Sequence, residues 1–338
     1  MNDRIIVGVA GDKSENYATF TTMMPPTVRV KINRKTVDLI FHYSPTIAHD
    51  VEGNCITNFD VGIELRPEFS LFECSLHPMS GDNVLRMERT SKTTQIERLR
   101  QTVDLKRFRV EPVLSSQFLG DGNVKRQYPH LLNKDLKAKH LICKREYGAQ
   151  GDGMLFVPIS SWSDFQDLVA SNPTYQVLFD TVDGFQFNAP LGLSKLMESE
   201  FVAGEYCVQH YIPDIYAEFR VVRGGDVLHY HSRGIMNRDQ EIHCVGIVGS
   251  TEPNDDDNKH LDTFKELVSD EDIIDIMDKV GMGFGSIDFY AYGDPAKPRY
   301  GIHEYSAQFG VVGYTNKEMV ELCNGFAEHL AKLYYKTR

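Results

Sequence analysis

The chain has no C-x-x-C pair, no proline-rich or low-complexity tract, no internal repeat and no long apolar run. Its six cysteines, Cys55, Cys74, Cys143, Cys207, Cys244 and Cys323, stand far apart. That spacing speaks against a zinc site and, in 338 residues, against a disulfide framework, so a reducing compartment is expected. The opening "MNDRIIVGVAGDK" holds an apolar run of only about six residues, too short for a signal segment or for the ~20 residues of a membrane span. A cytoplasmic protein with no membrane partner is the expectation. Positive charge is also scarce: 36 Lys and Arg against 48 Asp and Glu give a net charge of -12. A surface devoted to nucleic acid needs concentrated basic residues, so nucleic acid is the partner least expected.

What is present is the composition of a soluble globular protein, 41% hydrophobic and 25% charged, long enough for two or three packed subdomains. "RIIVGVAG", "VDLIFHY" and "VGIELRP" read as strands, and "TSKTTQIERLRQTVDLKRF" as a helix. Residues 1–115 are thus expected to form an N-terminal α/β domain. A glycine-punctuated passage leads into a second, α+β domain over 116–338. Its elements are strands parted by "RGGD", a helix over "SSWSDFQDLVASNP", and an acidic passage running into one long helix, "DTFKELVSDEDIIDIMDKVG", with Gly281 as its C-cap. The strand pair "FGSIDFYAY" and "RYGIHEYS" and a final helix follow.

One stretch departs from the acidic average. Between Arg86 and Arg109 eight basic residues face three acidic ones, a surplus of five. As an ordinary helix it would turn Ile96, Leu99 and Val103 inward and leave its charges solvated. The alternative is a docking surface for an acidic partner, whether peptide, nucleotide or modified DNA.

The chemistry-bearing residues lie further on. "CKREYGAQGDGM" places Lys144 before Gly148, Gly151 and Gly153. A P-loop needs its lysine after the glycines, and a dinucleotide fold needs a helix opening there, whereas "MLFVPI" reads as a second strand. A hairpin lid remains. In "SIDFYAYGDPAKPRYGIHEYS" the hairpin arithmetic brings Asp288 beside Glu304. Two adjacent carboxylates repel unless something positive lies between them, and a hard divalent cation is the economical solution. Glu218, Arg220 and Arg233 lie on the hairpin before them. The arginines could face a metal-bound phosphate chain, or Arg220 could simply pair with Glu218.

The order of these elements from about residue 120 to the C-terminus resembles the ATP-grasp superfamily, in particular the branch that ligates amino acids onto peptides or proteins, such as the ribosomal-protein glutamate ligases. The resemblance implies ATP and Mg²⁺ (or Mn²⁺) as cofactors, with a lid subdomain at about 135–205. Lys144 would contact the α and β phosphates, and Gly148, Ala149, Gln150, Gly151 and Gly153 would close over the triphosphate. Gln209, His210, Tyr211 and Ile212 would form the adenine hinge, with Asp214 near the ribose. Asp288 and Glu304 would hold the metal, Ser306 standing where the family has a metal-binding asparagine. Arg233, with Arg220 beside it, would steady the transferred phosphoryl group. A second phosphate lysine is expected upstream, Lys125 or Lys134. The family's terminal Pro-Gly is Phe309-Gly310 here. The implied reaction joins a carboxylate to an amine through an acyl phosphate, on small-molecule or peptide substrates and in a chain that could be a homo-oligomer. An ATP-binding regulatory protein and a phosphotransferase are the alternatives, and a self-adenylylating ligase is disfavoured because Lys144 lacks a K-x-D-G context.

Overall fold

The computed structural model describes residues 3–10, 24–32, 34–44, 59–64, 74–78, 84–113, 140–147, 155–158, 206–236, 244–245, 253–306 and 315–336. The helix expected over "SSWSDFQDLVASNP" lies outside them. The fold is α+β, with mixed and antiparallel sheets and helices laid on them.

The first six strands are β1 (Asp3–Ala10), β2 (Thr27–Ile32), β3 (Lys35–Ser44), β4 (Val61–Glu64), β5 (Cys74–Pro78) and β6 (Val84–Arg89). They form one sheet in the order β2-β3-β1-β4-β6-β5, parallel in its centre and antiparallel at both edges. A parallel centre suits β1, whose Ile5, Val7 and Val9 are fully buried. Helix α1 (Lys92–Thr102) follows, capped by Ser91, whose hydroxyl accepts the Thr94 N–H. Ile96, Leu99 and Val103 are buried, so the inward face of the basic stretch is where its periodicity places it.

A short β7 (Phe108–Arg109) then joins a second sheet, made with β11 (Ile215–Gly224), β12 (Val227–Arg233), β15 (Phe284–Tyr292) and β16 (Arg299–Ser306). The order is β12-β11-β15-β16-β7, antiparallel except for the last pair. A third sheet, β10-β8-β9, comprises β8 (His140–Arg145), β9 (Leu155–Pro158) and β10 (Tyr206–His210), and β13 (Ile235–Met236) pairs with β14 (Cys244–Val245). The "RGGD" turn is tight as expected, with Gly225 at φ +62°.

The single long helix expected after the acidic passage is two. Helix α2 (Asp255–Leu267) begins inside that passage, because Asn254 and Asp257 form a reciprocal capping box. Helix α3 (Asp270–Lys279) starts afresh at a second box between Ser269 and Asp272. Both first turns are acidic, favourable at the positive end of a helix. Gly281, at φ 77°, follows the end of α3 as expected.

These helices seal one face of the five-stranded sheet. Phe264 of α2 stacks on Phe219 at 5.0 Å and meets Phe289 at 5.0 Å, while Phe326 of the last helix, α4 (Asn316–Lys336), packs on Phe284 at 4.3 Å. Helix α4 also packs against β2 and β3, so the two large sheets share one core. With Phe219, Val221, Ile287 and Phe289 turned to the helices, the two-residue period of a strand turns Arg220 and Asp288 to the other face.

Candidate active site

On that second face the register lines up a row of polar residues across four strands. His231 of β12 is opposite Arg220 of β11, Arg220 is opposite Asp288 of β15, and Asp288 is opposite Glu304 of β16. The adjacency of Asp288 and Glu304 is the one the hairpin arithmetic predicts. A register shift after Asp288 leaves His303 as an extra residue in β16, and its Nε2 lies 3.2 Å from Glu218 Oε1.

Asp288 is 4% exposed, yet it stays ionised, because Arg220 grips it with two hydrogen bonds of 2.8 Å and Arg233 donates a third of 2.9 Å. Burial works to raise its pKa, and the two guanidinium groups more than reverse this, leaving it below the ordinary value. Arg220 therefore pairs with Asp288, and Glu218 has His303 beside it. Arg233 Nε is buried with no hydrogen-bond partner among the described residues. Glu304 keeps 31% of its side chain exposed and accepts a 2.8 Å bond from Lys92 Nζ. Burial opposes its ionisation too, but Lys92 and then Lys144 hold its pKa well below the usual carboxylate range. Each acid thus has its own cationic partners within the chain, Arg220 and Arg233 for Asp288 and Lys92 for Glu304.

Lys92 is the residue that sequence reasoning missed. It opens α1, 212 positions before Glu304, and no local pattern links the two. Its helix end is held by Glu146, just past β8: the Glu146 carboxylate accepts from the Thr93 N–H at 2.9 Å and from the Thr93 hydroxyl, and the Glu146 carbonyl accepts from Lys92 N–H at 3.0 Å. The carboxylate so sits on the positive end of the helix. Lys144 of β8 is opposite Cys207 of β10, and its charge acts on both the Cys207 thiol and Glu304.

The structure thus brings together Arg220, Arg233, Asp288, Glu304 and Lys144. Ser306 lies two residues along β16 beyond this row, its hydroxyl 3.2 Å from that of Ser286. The side chains of Gln209 and His210 are directed to Glu111, which is also missing from the sequence reading. Gln209 Nε2 donates to the Glu111 carbonyl at 2.7 Å, His210 Nδ1 lies 3.2 Å from Glu111 Oε1, and Arg109 holds Oε2 at 2.7 Å. Tyr211 and Ile212 are buried. The Asp214 carbonyl accepts from Gly293 N–H at 3.0 Å, at the far end of β15, about 17 Å along the strand from Asp288. Gly148, Ala149, Gln150, Gly151 and Gly153, like Lys125 and Lys134, lie outside the described residues. Among the described residues no three His, Cys, Asp or Glu side chains converge as a metal cluster.

No protein-family model and no curated protein matches the sequence. Among solved structures the chain is similar to the VanG D-Ala:D-Ser ligase from Enterococcus faecalis, at TM-score 0.48 and 11% identity over 99% of this chain and 100% of that one. It is similar to the ATP-grasp ligase PsnB complexed with a minimal precursor, at TM-score 0.48 and 13% identity over 98% and 99%. The D-alanine-D-alanine ligase from Coxiella burnetii aligns at TM-score 0.45 and 10% identity over 99% and 96%.

Proposed function

We propose that this chain is an ATP- and Mg²⁺-dependent ligase of ATP-grasp type that joins a carboxylate to an amine, releasing ADP and phosphate. The observation that carries the reading is the register row: two adjacent carboxylates on a sheet face, held by Arg220, Arg233 and Lys92, with the charge of Lys144 also acting on Glu304. Arginine and lysine side chains gathered on one sheet face beside these acids are groups that can meet the oxygens of a polyanion. Of these residues, Lys144, Arg220, Arg233, Asp288 and Glu304 are the ones to which the resemblance to the superfamily gives a role.

The donor set fits the metal. Asp288 and Glu304 offer hard oxygen ligands side by side, and Mg²⁺ commonly takes one or two carboxylates and fills its shell with phosphate oxygens and water. When bound, it would neutralise charge on the phosphate chain. The residues of the chain would do the rest. Arg220 and Arg233 would meet the equatorial oxygens of the γ-phosphoryl group, the free Nε of Arg233 giving it a further donor, and Lys92 and Lys144 would neutralise the phosphate chain. A substrate carboxylate oxygen would then attack the γ-phosphorus as ADP leaves. An amine nitrogen would attack the resulting acyl carbon as phosphate leaves. Positioning and fixed charge account for such a reaction without covalent help from the protein.

A second reading, an ATP-binding regulatory protein, draws on two observations: the Ser306 hydroxyl faces Ser286, and both acids already have partners inside the chain. A single assay separates the readings. Incubation with Mg·ATP, a panel of amino-acid and peptide carboxylates and hydroxylamine should release ADP and accumulate a hydroxamate, and the Arg233→Ala variant should do neither. Tight ATP binding without ADP release would establish the regulatory reading, and ADP release without hydroxamate would point to phosphotransfer.

A further inference from the structure

A second charged feature lies outside this site. At the turn end of the β15–β16 hairpin, away from Asp288 and Glu304, a cleft of about 250 Å³ opens between the loop after α1, the end of α2 and the hairpin itself. Its lining holds four cations, Lys106, Arg107, Arg109 and Arg299, and no carboxylate, in a chain whose net charge is -12. Two of the four are engaged. Arg107 grips Asp272 at 2.6 and 2.7 Å, and Arg109 grips Glu111 at 2.9 and 2.7 Å. Lys106 and Arg299 form no ion pair among the described residues. Arg299 instead lies over the Tyr292 ring at 4.5 Å, with Arg109 also within 5.3 Å of that ring.

The cleft is also apolar at its lip. Leu105 is 43% exposed and Leu267 54%, two large hydrophobic side chains left in water in the lining of the same opening. Arginine and tyrosine are enriched in protein interfaces, and two large apolar side chains exposed at one opening add an apolar patch beside the charges. An arginine already held over an aromatic ring has less freedom left to lose on meeting a carboxylate. The volume lies below the roughly 300–1,000 Å³ that encloses a whole small-molecule ligand. It suits one or two side chains of a longer chain.

We infer that this cleft docks a polypeptide segment in which acidic residues alternate with large apolar ones, the acids meeting Lys106 and Arg299 and an apolar side chain lying between Leu105 and Leu267. The basic surplus between Arg86 and Arg109 thereby divides by role. Lys92 serves the carboxylate row, and the Lys106–Arg109 end supplies one wall of the cleft.

The test uses the full chain and a fluorescein-labelled octapeptide, Asp-Leu-Glu-Phe repeated twice, followed by anisotropy. Saturable binding that weakens with added salt is expected. The double variant Lys106→Glu/Arg299→Glu should weaken it by about tenfold or more, and Leu267→Asp by a similar factor. Lys259→Glu, on an exposed part of α2 outside the lining, should leave it unchanged. All three variants alter exposed side chains, and circular dichroism checks that each is folded. The inference is overturned if the peptide does not bind, if Lys106→Glu/Arg299→Glu binds it as tightly as the unaltered chain, or if octaglutamate binds equally well. Displacement of the peptide by millimolar inorganic phosphate would also overturn it, assigning the cleft to small anions.

Discussion

Asp288 is a buried carboxylate whose ionised form is the stable one, and its dependence on pH follows. In the unfolded chain an aspartate titrates near 3.9, and in the folded chain its pKa is lower because of Arg220 and Arg233. Its contribution to stability is therefore complete above the unfolded value and is lost only as pH falls through the lower, folded one. Asp288→Asn leaves two largely buried guanidinium groups without their acid and should cost about 3 kcal/mol at neutral pH. In urea titrations that difference should hold constant from pH 7 to about pH 5 and shrink below about pH 4. A difference that shrinks already between pH 7 and 6 would contradict the assignment. Lys92→Met should cost less, about 1 kcal/mol, because Glu304 remains partly solvated. Cys207 offers a separate check. Burial pushes its thiol up to about 12, with Glu146 adding to the effect, and that of Cys323 up to about 11, again through burial. Both should resist a thiol-disulfide reagent in the folded protein and react once it is unfolded in urea.

At the scale of elements, the close approach of α4 to the β11–β12 turn depends on glycine. A Cβ built on Gly325 would lie 2.1 Å from the Gly224 carbonyl oxygen, so backbone and not a flexible side chain would have to yield. Alanine at a helix interior normally gains about 1 kcal/mol over glycine. Here Gly325→Ala should nevertheless destabilise, by about 1–3 kcal/mol, read as a lower urea midpoint. Elements with a dense apolar pattern were legible in the sequence: β15 and β16 as two strands joined by a local turn, and α4 by its helical stripe. The break between α2 and α3 was not, because Val268 continues the apolar stripe and only the pairing of Ser269 with Asp272 shows that a new helix begins. Within the site, Asp288 and Glu304 could be paired from the hairpin alone, since their turn is local. Lys92, Glu146 and Glu111 could not, because their partners are set by how separate elements pack and no spacing in the chain encodes that.

For the whole molecule, α4 is the shared wall. It lies on β11 and β12 by one stretch and on β2 and β3 by another, and the Tyr335 hydroxyl donates to Asp3 at 3.2 Å. Phe326→Ala, at a fully buried position, should cost about 3–5 kcal/mol. Because the core is continuous, amide exchange should quicken in β2 as well as in β11. Unchanged protection in β2 would mean that the sheets unfold separately.

The grip of two arginines on Asp288 has a further consequence for loading. A polyphosphate arriving alone would have to draw Arg220 and Arg233 away from an acid that has almost no water to turn to. Arriving with a divalent ion, the same anion enters by an exchange of counter-ions in which no charge is stranded. Nucleotide and ion should therefore enter as a pair, each tightening the other by the same factor, a reciprocity that calorimetric titration in either order would measure.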